Sequence, residues 1–242
     1  LLPFSNLYLD YIKIWKFGNN IKKRFIEGNN MKNYKKSFIN ILLSVLLSIW
    51  LLILAVKVVI IYKPLYYRDI RALNIEENSM HSETQLRETY DYLINYISGI
   101  HCSTFSIPNF CSSKCGNIHF KEVRAIYQSL NYVYYAAAFC ILVILFIFQY
   151  IISEDIFLYS AAFLSSFTLS LCIPFSINFD ESFTEFHNLF FKNDYWLFDP
   201  VTDPVITALP EEFFLHCSLS ILLIVALESL FLITIYKKRK NP

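Results

Sequence analysis

The sequence predicts an all-α membrane protein: four transmembrane helices carry a mixed extracytoplasmic cap formed by the loops between spans 1 and 2 and between spans 3 and 4. Three observations predict it. Of 242 residues, 55% are hydrophobic, 18% aromatic and only 17% charged, too apolar for a soluble domain of this length. Four stretches, 38–62, 132–152, 156–177 and 213–236, meet the requirement of about 20 apolar residues for a bilayer core. Eight Lys/Arg against two acids precede the first stretch and "KKRK" follows the fourth, so the positive-inside rule puts both termini in the cytoplasm. The net charge of +1 offers no excess of basic charge for nucleic acid.

In chain order, residues 1–37 form a basic cytoplasmic tail. "MKNYKKSF" from Met31 reads as a natural start, so residues 1–30 are expected to be an over-long reading frame or a floppy tail. A cleaved signal peptide is disfavoured, because the first span is too long and lacks a small-residue cleavage site. Within span 38–62, Asn40, Ser44 and Ser48 recur every four residues, a narrow polar stripe suited to close helix packing. Lys57, near its outer end, is expected to snorkel to the surface.

The outer loop 63–131 begins with "YKPLYYRDIRALNI", expected to be partly extended. "SETQLRETYDYLINYISG" then predicts a helix: Ser82 and Gln85 form a capping-box pair, Leu86, Tyr90, Leu93 and Ile97 repeat at helical spacing, and Gly99 stops it. A second helix is expected from an Asn117 cap. His119 would then fall in the first turn, where the macrodipole keeps imidazole neutral. Cys102, Cys111 and Cys115 share this loop. Outside the cytoplasm they read as one disulfide plus an odd thiol; a zinc site from Cys111, Cys115 and His119, with His101 and Cys102 nearby, is the sharper and less favoured alternative, since Gly116 interrupts the spacing.

Span 132–152 opens with Tyr132, Tyr134 and Tyr135 at the level of an outer aromatic belt, and span 156–177 carries Ser160, Ala161, Ser165, Ser166 and Ser170 as a small-residue face. The outer loop 178–212 places Phe183, Phe186, His187 and Phe190 on one helical face. Two Asp-Pro pairs, Asp199-Pro200 and Asp203-Pro204, stiffen the chain before span 213–236, whose entry has Pro210, Glu211 and Glu212 suited to a helix start. Glu228, inside that span, is a functional candidate by its depth, but two turns from Lys237 and far from the outer loops it reads as structural. Residues 237–242 form the second cytoplasmic tail.

"HFKEVRAIY" before the second span and "FHNLFFKNDYWLFDPVTDPVITALPEEFF" before the fourth resemble the bacterial lipoprotein intramolecular transacylases, four-span integral membrane proteins. The resemblance covers about residues 38–236 and implies an acyltransferase of the bacterial cell membrane. It would move the sn-2 acyl chain of a diacylglyceryl lipoprotein to the α-amino group of its lipidated cysteine, giving a lyso-form lipoprotein. It further implies His119 and His187 as the two essential histidines. Glu122 stands where the family motif has aspartate. Asn193, Trp196, Asp199 and Asp203 are candidates for shaping the site. The implied partners are diacylated lipoproteins and membrane lipid, with no nucleic acid, cofactor or metal.

The residue types suit that chemistry independently. An α-ammonium near pKa 8 must lose a proton to attack and a departing glycerol oxygen must gain one, which imidazoles do near neutral pH. Two other classes compete: a non-catalytic membrane sensor or accessory subunit whose cap binds a partner, and a zinc-dependent membrane hydrolase. Histidine rings more than about 10 Å apart would favour the accessory reading.

Overall fold

The structure, a computed structural model, describes Gly18, residues 33–100 and residues 105–241. The expectations for the rest of residues 1–30 and for His101 and Cys102 lie outside the described residues. These form eight α-helices and one 3-10 turn. Four helices are long and apolar enough to cross a membrane: α1 (Asn33–Ile61), α5 (Lys114–Phe148), α6 (Asp155–Ile177) and α8 (Glu211–Lys240).

The polar stripe on α1 joins it to α6. Ser48 Oγ donates to the Ser160 carbonyl at 3.0 Å, Ser160 Oγ donates back to the Ser44 carbonyl at 3.2 Å, and Ser44 Oγ reaches the Ile156 carbonyl at 3.2 Å. At the far end of the stripe, Asn40 Oδ1 accepts the Ser153 N–H at 3.0 Å. Small side chains let the backbones approach closely enough for these bonds, each worth roughly 0.6 kcal/mol in a membrane. Ser165 bonds Ser229 at 3.1 Å and so fastens α6 to α8. Large apolar side chains such as Phe139, Leu142, Phe146 and Phe231 stay exposed on the other faces, as lipid contact requires.

Between α1 and α5 the chain makes three more helices, α2 (Pro64–Ala72), α3 (Ile75–Ser79) and α4 (Glu83–Ser98). The expected extended segment is therefore helical: Pro64 at the first helical position pre-sets φ, and Leu65, Tyr66, Asp69 and Ile70 supply a buried face. Asn74 and Met80, both in left-handed conformation, turn the chain on either side of α3. In α4 the Ser82–Gln85 capping box is present, and Gly99 at φ 83° ends the helix. The end of α1, helices α2–α4, the start of α5, the 3-10 turn Pro204–Thr207 and the start of α8 share one core, in which Tyr66 stacks on Tyr90 at 4.1 Å and donates to the Ala208 carbonyl at 2.8 Å. Among the described residues this assembly contains no strand; its helices alternate with irregular chain at 105–113 and 191–203.

Lys57 does not snorkel free. Its ammonium reaches Asn131 Oδ1 and lies 4.6 Å from the Tyr134 ring centre and 5.3 Å from that of Tyr135, so the aromatic belt caps it by cation–π attraction.

Helix α5 has 35 residues and would be about 52 Å long, against a hydrocarbon core of about 30 Å. Lys114, Lys121, Glu122 and Arg124 crowd its N-terminal third, so this third, with His119, stands outside the apolar layer. The start of α5 differs from expectation. Ser113, not Asn117, is the cap: its Oγ accepts the Gly116 N–H at 3.0 Å. His119 is thus in the second turn, beyond the reach of the strongest dipole field.

Candidate active site

His119 projects from α5 and His187 from α7 (Phe179–Phe190), and their ring centres are 6.2 Å apart. Helix α7 is capped by Asn178, whose side chain accepts the Glu181 N–H at 3.2 Å, and its amphipathic face packs Phe183 against Phe214 of α8. His187 Nδ1 lies 2.7 Å from the Phe183 carbonyl, an acceptor only, so Nδ1 carries the hydrogen and donates it. In the neutral ring Nε2 then holds the lone pair. Trp196 stacks on His187 at 4.6 Å and 25°, fixing the ring plane.

Around His119 stand Phe191 at 4.6 Å and Phe198 at 5.4 Å, and the imidazole is 7% exposed. Burial, assisted by the neighbouring His187, pushes its pKa down to about 4. Burial also lowers His187, against the opposing pull of the Phe183 carbonyl. Neutrality at pH 7 comes from desolvation in this aromatic setting rather than from the helix dipole.

Glu122 follows His119 by one turn on the same side of α5. Its Oε1 accepts from Asn193 Nδ2 at 2.8 Å, which ties α5 to the chain leading to Trp196. Glu122 Oε2, His119 Nδ1 and Trp196 Nε1 are all buried without a hydrogen-bond partner. Unpartnered buried polar atoms are uncommon in native proteins, and three in one neighbourhood single this cluster out as the candidate site.

Asp203 and Asp199 lie outside this cluster. Asp203, 4% exposed, accepts the Ser113 N–H at 2.7 Å and so braces the start of α5 from the second loop. Gly116 makes room for it. Asp199 is exposed; its carboxylate accepts the Val201 N–H at 2.9 Å and its carbonyl the Asp203 N–H at 2.7 Å, which forms the turn. Cys111 and Cys115 are free and exposed, and among the described residues no three His, Cys, Asp or Glu side chains are grouped to hold a metal. Both are solvent-facing while the His119 ring is buried. Glu228 makes none of the contacts of the histidine cluster and sits in the body of α8.

Several participants escape the sequence pattern. Phe191 and Phe198 are in irregular chain, where no periodicity marks a face. The pair of Asp69, fully buried, and His216 at 2.7 Å, with Arg68 on the other carboxylate oxygen at 2.9 Å, fastens α2 to α8 beneath the cap core. A histidine in the entering turns of an apolar helix was the available signal for it.

The family model for the lipoprotein intramolecular transacylase Lit matches residues 41–214. The chain belongs to the Lit family. It is accordingly an acyltransferase and a multi-pass membrane protein. An in meso structure of the membrane-integral Lit from Bacillus cereus is 32% identical, with a TM-score of 0.81 over 87% of this chain and 99% of that one. Two structures of the same Bacillus cereus protein with one histidine replaced, by arginine or by alanine, give TM-scores of 0.78 and 0.77 at 32% identity, covering 89% and 86% of this chain and 99% and 96% of theirs. No curated protein matches the chain.

Proposed function

We propose that this Lit-family protein moves the sn-2 acyl chain of a diacylglyceryl bacterial lipoprotein to the α-amino group of the same lipidated cysteine, with His119 and His187 as its acid–base pair, on the non-cytoplasmic face of the cell membrane. The observation that carries this reading is the 6.2 Å approach of a buried imidazole, His119, and a half-buried one, His187, from different helices, both held neutral. The positive charge in the "KKRK" end of α8 supports the orientation with both termini cytoplasmic.

The tautomer of His187 supports an order of roles. The amine nitrogen attacks the ester carbonyl carbon, and His187 Nε2 takes the N–H proton from the tetrahedral adduct. The imidazolium returns that proton to the glycerol oxygen as the C–O bond breaks, leaving an amide and a free sn-2 hydroxyl. His119, neutral, and Trp196 Nε1 are donors for the developing oxyanion. No nucleophilic Ser or Cys is needed, since amine and ester belong to one molecule and reach a high effective concentration once oriented. Phe183, Phe191 and Phe198 provide apolar walls beside the pair for the acyl chains.

The test is expression in a bacterium whose lipoproteins are diacylated, with mass spectrometry of the lipoprotein N-terminal peptide. Chain transfer leaves the mass unchanged and moves an acyl fragment from glycerol to nitrogen. His119→Ala and His187→Ala should each abolish the N-acylated species, and its absence with the unaltered protein would end the assignment.

A further inference from the structure

We propose that Glu122, set by Asn193, is the receptor for the substrate's α-ammonium. This rests on the acyl-transfer reading and names the part of the site that recognises the amine. Glu122 offers one carboxylate oxygen that is already bonded, Oε1 to Asn193 Nδ2 at 2.8 Å, and one, Oε2, that is buried with no partner. A carboxylate oxygen removed from water is costly unless a donor meets it, and a cation meets it best. The neighbouring charged side chains point elsewhere: Lys121, Lys192 and Asp194 are exposed, and Arg124 stacks on Tyr96 at 4.7 Å. His119 is one turn back on α5, His187 lies 6.2 Å from it, and both are neutral at pH 7.

The donor such a site lacks is therefore brought by the ligand. A free cysteine α-amine near pKa 8 arrives mostly as ammonium, with three N–H donors and a full positive charge. Seated on Glu122 Oε2, it lies beside the histidine pair. The proton account closes: one ammonium proton is released to solvent, the uncharged nitrogen attacks, and the second proton travels through His187 to the glycerol oxygen. The reaction releases one proton overall, since an ammonium becomes an amide.

The arrangement also gives a means of rejecting product. An N-acylated cysteine has no cationic nitrogen and cannot satisfy Oε2, so the lyso-form product is bound less tightly than the substrate.

The test uses the full-length protein in detergent and a diacylglyceryl-cysteine lipopeptide whose glycerol esters are replaced by ethers, so that no acyl chain can move. Its free-amine form should bind on the order of 10-fold more tightly than its N-acetyl form at pH 7, and the preference should vanish near pH 10, where the amine is uncharged. Glu122→Gln should bring the two forms within about twofold of each other at both pH values, while His187→Ala keeps the preference. Asn193→Ala, outside any helix, serves as the second variant should Glu122→Gln fail to fold, and should weaken the preference. Equal binding of the two forms by the unaltered protein, or a preference that survives in Glu122→Gln, overturns the proposal. Binding of neither form overturns the acyl-transfer reading beneath it.

Discussion

Replacing Gly116 with alanine puts the packing argument at the start of α5 to a direct test. A Cβ at this position would fall 2.2 Å from Asp203 Oδ1, 3.0 Å from its Cγ and 3.2 Å from Ser112 Oγ. Ordinary contact begins near 3.4 Å, so the carboxylate must retreat by about 1 Å. That retreat breaks its 2.7 Å bond from the Ser113 N–H, since a bond stretched beyond about 3.5 Å is lost. Losing a hydrogen bond to a buried charge costs about 1.5–3 kcal/mol, and forcing an extra carbon into a packed site about 1–3 kcal/mol. The better helix propensity of alanine returns about 1 kcal/mol. Gly116→Ala is expected to destabilise the protein by roughly 1.5–5 kcal/mol. Thermal unfolding in detergent should be compared across the unaltered protein, Gly116→Ala, Asp203→Ala and the double variant. With the carboxylate gone, Gly116→Ala should be neutral or slightly stabilising. A Gly116→Ala protein as stable as the parent, or an equal loss in both backgrounds, would refute the reasoning.

Three further outcomes are expected. With both histidines held below their ordinary pKa, the base form persists in mild acid, so apart from the limb set by the substrate amine near pH 8, kcat/KM should show no further acid limb until well below pH 6.5; an additional limb near 6.5 would contradict the burial argument. The same burial affects stability: the unfolded chain takes up a proton at His119 as pH drops below about 6.5 while the folded protein does not until about pH 4, so this contribution, on the order of 3 kcal/mol, is complete above 6.5 and lost as pH falls toward 4. Trp196→Phe keeps an aromatic ring against His187 and removes only the indole N–H, so acyl transfer measured by mass spectrometry should drop about 100-fold with little change in melting temperature, and unaltered transfer would exclude the oxyanion role.

Much of the architecture was readable from residue order because the bilayer imposes it. A run such as Phe38 to Ile61 has no solution in lipid other than a helix, and the Asn40-Ser44-Ser48 stripe can only be satisfied by a neighbour, which α6 supplies. The Ser82–Gln85 box and Gly99 are local devices whose meaning does not depend on the rest of the chain. Where the reading went astray, a distant group had intervened. Asn117 is a good cap in isolation, but Asp203, 90 residues away, holds the Ser113 N–H and starts α5 earlier. Residues 63–80 hold β-tolerant tyrosines, yet burial of Tyr66 and Ile70 against α4 and α8 makes them helical. Lys57 is expected to seek water until Asn131 and two tyrosines are brought to it.

The sequence by itself determined that four apolar helices form and, by resemblance to a family, which two histidines deserved pairing. Only the tertiary structure decided that these rings come within 6.2 Å, that one is buried to a pKa of about 4, and that Glu122 keeps an unpartnered oxygen beside them. The reason is physical: helix formation in lipid is settled by each segment's own backbone and polarity, whereas desolvation and distance belong to no segment and exist only after α5, α7 and the loop bearing Asn193 and Trp196 have packed together.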